Sequence, residues 1–322
     1  MKLVTFTAAG GEPRVGAMNA DDTRVVDLAA ADNQPYFATM LDVIETGDEA
    51  VGRAKDIVGA ATDSTALPLA DVALKSPILV PPQIRDFLCF EEHLLNAFAM
   101  LRKNKAAAEP DPEEALKRFE EEGAFAIPQI WYDQPLYYKP SRFGVIGTED
   151  DIQWPFFSEK LDYEMEYGAW IGNPGKDVTP EQAKDMIFGY SVYNDVSARD
   201  TQAYEMPAGF GPGKGKDFET GNIIGPCIVT ADAFDPYDAE MIVRINGEEV
   251  SRGHSSKMYW TFEDCIAHVS RAETVHPGEF FCSGTVGGGC GLERDVYLEP
   301  NDVIELEVTG IGVLRNRIVR PS

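Results

Sequence analysis

The sequence has no run of about 18 apolar residues that would span a bilayer, and its first residues, MKLVTFTAAG, lack the long apolar stretch of a signal peptide. A cytoplasmic protein is expected. Cysteine is scarce: Cys89, Cys227, Cys265, Cys282 and Cys290 are odd in number, scattered and never spaced as C-x-x-C, which argues against a disulfide framework or a zinc ribbon and suits reduced core thiols. Positive charge is also short, with 28 Lys and Arg against 54 Asp and Glu and a formal net charge of −26. That balance argues against nucleic acid or an anionic membrane as partner, since phosphates attract Lys and Arg. Only four histidines occur, His93, His254, His268 and His276. Internal repeats are absent, as is the strand-helix alternation of a doubly wound sheet.

What remains is an ordinary globular composition, 44% hydrophobic and 10% aromatic over 322 residues, enough for one large domain or a large and a small one. Short apolar runs in residues 2–28 read as a β-meander, followed by helices around Tyr36 to Glu45 and Glu49 to Val58. The stretch from Asp63 to Pro82 carries Pro68, Pro77, Pro81 and Pro82 and reads as a linker, dividing a small N-terminal α/β domain (1–75) from a larger one (76–322). A helical insertion near 102–134 is expected, with Asp111 as N-cap and Pro112 at the first position of a helix reaching about Glu122. Thr179-Pro180-Glu181-Gln182 is a capping box opening a helix to about Ile187, and Asn246-Gly247 is a hairpin turn. From Pro135 onward β signals dominate, WYDQPLYYKPS included. The fold class expected is α+β, predominantly β, with the larger domain a mixed β-roll or barrel carrying a few helices.

The most informative stretch is LDYEMEYGAWIG, Leu161 to Gly172. Read as one strand, it sets Asp162, Glu164 and Glu166 on one face and Leu161, Tyr163, Met165 and Tyr167 on the other. Like charges about 7 Å apart on a partly buried face repel, so a positive partner is expected there. Asp195, at the end of an apolar strand in YSVYNDVSARDTQ, and Asp86, seven residues before His93, are further oxygen donors. Donors that are all carboxylates suit a hard cation, Mg²⁺ or failing that Ca²⁺ or Mn²⁺. His93 follows two acids at the mouth of a helix, where a neutral imidazole acts as general base. GFGPGKGKDFETG lacks the strand and the Lys-Ser/Thr pair of a phosphate loop and reads as a flexible loop carrying Lys214 and Lys216 towards an anionic substrate. Gly287 to Gly291 forms a second glycine-rich turn, with Thr285 before it and Glu293 at its end.

In their order along the chain, DFLCFEEH, YYKPSR, LDYEMEYG, YNDVSARDTQ, GKDFETG, SGT and GCGLE resemble the fumarylacetoacetate hydrolase family over roughly Pro81 to Val319. The resemblance implies a metal held by Asp86, Glu164, Glu166 and Asp195. It also implies a catalytic His93 oriented by Glu293, and an oxyanion held by Arg199, Gln202 and Lys216. Tyr138, Thr220 and Thr285 fall where the family contacts substrate. The loop before Lys216 is one residue longer than the fullest match, so Lys214 is the alternative to it. The activity implied is hydrolysis of the C–C bond of a 1,3-diketo acid, an acylpyruvate or a fumarylacetoacetate-like compound, in a homodimer. The alternative on the same site is a decarboxylase, lyase or isomerase of 2-oxo acids.

Overall fold

The computed structural model describes residues 1–8, 10–62 and 64–320. Its centre is a 12-stranded sheet whose middle strands are Asn222–Thr230, Ile187–Asp195, Met165–Ile171, Phe280–Cys282 and Ile84–Phe87, hydrogen-bonded in that order. A five-stranded sheet (Glu248–His254, Glu240–Ile245, Val303–Val308, Gly312–Val319 and Asp151–Gln153) covers one face. Both sheets are open along their described residues, so the α+β roll is present and a closed barrel is not.

The middle strands are buried along their whole length, which requires cover on both faces. Met165, Tyr167, Ala169 and Ile171 point into a core shared with Met241, Leu306 and Ile318 of the smaller sheet. Trp170, two residues on from Gly168 and four from Glu166, points to the opposite core with Phe37, Val43 and Phe280. Glu166 therefore shares its face of this strand with Gly168 and Trp170 and lies at the strand's N-terminal end.

The N-terminal segment extends the large sheet. Lys2–Ala8 pairs antiparallel with Asn222–Thr230, and Leu3, Val15 and Phe37 share their core with Trp170 and Ile224. Its two helices run Met40–Thr46 and Asp48–Ala60. The stretch Leu161 to Gly172 is not one strand. Leu161–Asp162 pairs with Ser197–Ala198, the chain bends, and Met165–Ile171 resumes in the large sheet. The cause is Asp162, whose carboxylate accepts from the backbone N–H of Tyr163 at 2.8 Å, Gly291 at 2.8 Å and Leu292 at 2.9 Å, satisfying the backbone off the ladder.

The helix Glu91–Ala107 is longer than its first apolar turns suggest, and Pro112–Glu121 folds back on it around Ala106, Ala115 and Phe119. Asp111 caps the second helix, accepting from Glu114 N. Gln129–Asp133, inside the expected helical insertion, is a helix, and it takes in Trp131 to Asp133 of WYDQPLYYKPS, which were expected as strand and turn. Tertiary bonds hold it: the buried Trp131 indole donates to Leu88 O at 2.7 Å, and Trp260 donates to Trp131 O at 2.9 Å. No helix among the described residues is long and apolar enough to cross a membrane.

Candidate metal centre and active site

Three strands of the large sheet, those of Asp195 and Glu166 adjacent and that of Asp86 one strand further beyond Phe280–Cys282, deliver carboxylates to one buried locus. Asp86 lies on Ile84–Phe87, Glu166 on Met165–Ile171, Asp195 at the end of Ile187–Asp195, and Glu164 just ahead of its strand, opposite Cys290. Donor oxygens of Glu164, Glu166 and Asp195 fall within 4.8 Å of one another, and those of Asp86 and Glu166 are equally close. All four residues are 1 to 7% exposed.

Two cations neutralise part of this charge. Lys216 Nζ lies 2.6 Å from Glu164 Oε2 and 2.5 Å from Asp195 Oδ2. Arg199 bridges Asp162 Oδ2 at 2.8 Å and Glu164 Oε1 at 2.7 Å. Five buried carboxylates thus face two buried cations. Burial, then the charges of Glu166 and Asp195, push the Asp86 carboxyl well above the usual carboxylate range. Burial, then Glu164 and Asp195, do the same to Glu166. Asp195 is raised by burial against the pull of Lys216. Glu164 is the exception: burial opposes its charge, but Lys216 and Arg199 together hold its carboxyl below the ordinary value.

These residues fit a hard divalent cation. Asp86 Oδ1 and Asp195 Oδ1 are buried and hydrogen-bonded to nothing in the protein, a costly arrangement for a carboxylate unless a cation receives it. Among the described residues the His, Cys, Asp and Glu donors grouped on this side are carboxylate oxygens and the Cys282 thiol beside Asp86 and Glu166. Glu166 is aimed by Gly284 N, which donates to Oε2 at 3.0 Å, and by Thr285 Oγ1, 3.3 Å from Oε1. Gly284 takes φ +74°, and a Cβ there would meet Phe87 O at 2.3 Å, so only glycine brings that N–H to the carboxylate.

Metal affinity follows from these shifts. For the metal-free protein the raised carboxyls of Asp86, Glu166 and Asp195 contribute stability that is full below the ordinary carboxylate pKa and is lost as pH rises through their folded values, with the depressed Glu164 acting in the opposite sense. A cation binds the deprotonated set, so the rise in melting temperature that Mg²⁺ or Mn²⁺ causes is expected to be larger at about pH 8 than at about pH 5.5. Differential scanning fluorimetry with and without the cation checks this. A shift independent of pH sinks the carboxylate assignment.

Beside the carboxylates stands a dyad. His93 Nδ1, on the helix Glu91–Ala107, lies 2.8 Å from Glu293 Oε1, with side-chain exposures of 9% and 2%. Glu293 Oε2 accepts from Asn96 Nδ2 at 2.7 Å and from Gly288 N at 2.7 Å, so this carboxylate is held at both oxygens. A carboxylate accepts only, so the imidazole hydrogen belongs on Nδ1 and the Nε2 lone pair is free.

The remaining expected residues divide. Gln202 Oε1 accepts from Arg199 Nη1 at 2.9 Å, leaving its NH₂ available. The Tyr138 hydroxyl donates to Asp195 Oδ2 at 2.6 Å, and so touches the carboxylate cluster directly. Of the two lysines, Lys216 enters the site. Lys214 turns away, its backbone N donating to Glu205 at 2.6 Å and its ammonium bonding Asp217 O. Thr220 accepts from Gln153 N at 3.0 Å with φ +69°, and its hydroxyl bonds none of the carboxylates. Asp162 was expected on the face of Glu164 and Glu166 but not as the partner of the Gly291 turn, and Asn96 and the N–H of Gly288 were not expected in the site. Asn96 was findable, because three residues after His93 on a helix is the same face; the other two depend on turns that bring distant segments together.

A sequence model of the fumarylacetoacetate (FAA) hydrolase C-terminal region matches residues 86–319. Among curated proteins, mitochondrial oxaloacetate tautomerase fahd2 of Xenopus laevis is 30% identical over 326 residues, covering 99% of this chain and 90% of that protein. Mitochondrial oxaloacetate tautomerase FAHD2A of Homo sapiens is 28% identical over 326 residues, covering 99% and 92%. Among solved structures, a fumarylacetoacetate hydrolase from Exiguobacterium antarcticum superposes with a TM-score of 0.74 at 27% identity, covering 100% of both chains. The maleylpyruvate hydrolase of Sphingobium sp. SYK-6, solved with manganese(II) and pyruvate, has a TM-score of 0.72 and 20% identity over 100% of both chains, a likeness of fold.

Proposed function

This chain belongs to the fumarylacetoacetate hydrolase family, and from that premise we propose that it is a divalent-metal-dependent hydrolase that splits the C–C bond of a 1,3-diketo acid, an acylpyruvate or a fumarylacetoacetate-like compound. The observation that carries this reading is the His93–Glu293 contact of 2.8 Å, a buried, doubly anchored dyad of the kind that water activation requires. Asp86, Glu164, Glu166 and Asp195 would hold Mg²⁺ or Mn²⁺. When bound, the cation supplies Lewis-acid polarisation of the oxo acid and positive charge to balance its enolate form.

The chain's own groups account for the rest. Glu293 keeps the His93 hydrogen on Nδ1, so Nε2 takes a proton from water. The hydroxyl oxygen bonds the distal carbonyl carbon. The NH₂ of Gln202 and the charges of Arg199 and Lys216 favour the oxyanion, an effect for which losing one donor costs on the order of 10²-fold in rate or more. The C–C bond then breaks with its electron pair passing to the enolate carbon, and the proton on Nε2 returns to that carbon. A carboxylic acid and a 2-oxo acid leave.

A second reading has its own support: relatives 28 to 30% identical over 99% of the chain are named oxaloacetate tautomerases. There the same imidazole would move a proton between the carbon and oxygen of a keto–enol pair, with no water added. Mass spectrometry of products from acylpyruvates, fumarylacetoacetate-like acids and oxaloacetate, with and without Mg²⁺, together with the ultraviolet absorbance of enol-oxaloacetate, whose mass equals that of the keto form, separates the two. Diketo acids that gain water and split into two acids uphold hydrolysis. Accelerated ketonisation of enol-oxaloacetate with every diketo acid left whole replaces it with the tautomerase.

A further inference from the structure

We propose that His93, Cys290 and Glu293 form a second cation site, selective for a thiophilic ion such as Zn²⁺, whose occupation removes the general base. It rests on the dyad reading of the active site and adds an inhibitor class to it. The three side chains are buried, and one donor atom of each lies within 4.8 Å of the others. The sequence held no zinc spacing because one donor comes from the helix Glu91–Ala107 and two from the turn some 200 residues later.

The geometry is close to that of a tetrahedral ion. With Zn–N and Zn–O near 2.0 Å and Zn–S near 2.3 Å, the edges of such a site are about 3.3 Å for N to O and about 3.5 Å for S to O. Here Cys290 Sγ lies 3.6 Å from Glu293 Oε1, and His93 Nδ1 lies 2.8 Å from the same oxygen. Opening the His–Glu contact by about 0.5 Å brings that edge to the tetrahedral value, and Cys290 Sγ lies within 4.8 Å of a ring nitrogen of His93. The outer partners are in place as well: Asn96 and Gly288 N hold Oε2 and leave Oε1 facing the imidazole and the thiol. One nitrogen, one sulfur and one oxygen form a softer set than the carboxylates next door, so this site favours Zn²⁺ over Mg²⁺ while the carboxylates accept either kind of ion.

Coordination moves protons in a defined way. The thiol gives its proton to solvent as the cation binds. The imidazole shifts its hydrogen from Nδ1 to Nε2, and an Nε2 that carries a hydrogen takes no proton from water. Zinc and catalysis thus compete for one tautomer.

The test titrates the metal-stripped full-length chain with Co²⁺, which takes zinc sites and reports thiolate ligation as a near-ultraviolet charge-transfer band. Wild type is expected to bind two ions per chain with that band. Cys290→Ser should bind one and lose the band, whereas Cys282→Ser, altering the other thiol near carboxylates, should keep both. In Mg²⁺-saturated enzyme, Zn²⁺ should inhibit wild type at least about tenfold more tightly than Cys290→Ser, each referred to its own zinc-free rate. Cys290→Ala, compared by circular dichroism, guards against a folding defect in the serine variant. One Co²⁺ per chain, a band that disappears with Cys282 instead, or equal zinc inhibition in both proteins overturns the site. The stoichiometry and spectrum stand whichever reaction the enzyme performs, so failure of the functional reading leaves them untouched.

Discussion

His93→Ala lowers turnover by on the order of 10²- to 10⁴-fold, the range for losing a positioned general base, and leaves the affinity for Mg²⁺ or Mn²⁺ as in wild type. The two halves of this expectation come from the same geometry. The imidazole meets Glu293 and not the cluster of Asp86, Glu166 and Asp195, so its removal takes away the base and leaves every proposed ligand oxygen. Glu293 keeps Asn96 and Gly288 N as donors, so it is not stranded as an unpartnered buried carboxylate. Single-turnover product formation and metal content of the dialysed protein measure the two quantities. Turnover within about threefold of wild type, against the expected loss, removes His93 from the chemistry under either reading. Glu293→Gln is expected to reproduce most of the loss, because an amide donates as readily as it accepts and no longer dictates the tautomer.

Asp86→Asn should raise the melting temperature of the metal-free protein and abolish the rise that a divalent cation causes. In wild type a cation at about 100 times its dissociation constant contributes about 2.7 kcal/mol, which for a chain of this size is a shift on the order of 5 °C. The sign for the metal-free state follows from the carboxyl being pushed up by burial and by Glu166 and Asp195: at neutral pH its charge is opposed, and a neutral isostere relieves that. An asparagine there also donates to its carboxylate neighbours where Asp86 Oδ1 bonds nothing. A metal-free variant that melts lower than wild type, or one that still shifts with Mg²⁺, would falsify the role assigned to Asp86.

Local signals in the sequence matched local structure. Asp111 caps Pro112–Glu121, Thr179 and Gln182 form the reciprocal box, and Asn246-Gly247 turns between Glu240–Ile245 and Glu248–His254. Each depends on partners three or four residues apart, so the chain alone specifies it. The candidate metal donors stood out in the sequence for a different reason, and the family resemblance implied the set. D-x-E-x-E and N-D-x-S-A-R-D put carboxylates where apolar strands demand apolar groups, and such a conflict marks function.

What was not legible depends on contacts between distant segments. Gln129–Asp133 has strand-favouring residues, yet bonds from Trp131 to Leu88 and from Trp260 to Trp131 hold it helical. Asp162 was expected beside Glu164 and Glu166. Instead it breaks the strand, because backbone donors from Gly291 and Leu292 reach it. The choice of Lys216 over Lys214 followed from the backbone of the intervening loop, since Lys214 N is tied to Glu205. By itself the sequence picked out the candidate site residues, because charge on an apolar strand and a histidine at a helix mouth are properties of short segments. Only the tertiary structure decided how they meet: which lysine neutralises Glu164, which oxygens stay unpartnered for a cation, and that Cys290 stands beside the dyad. Hydrogen bonds and coordination act over a few ångströms, and those distances are set between residues far apart in the chain.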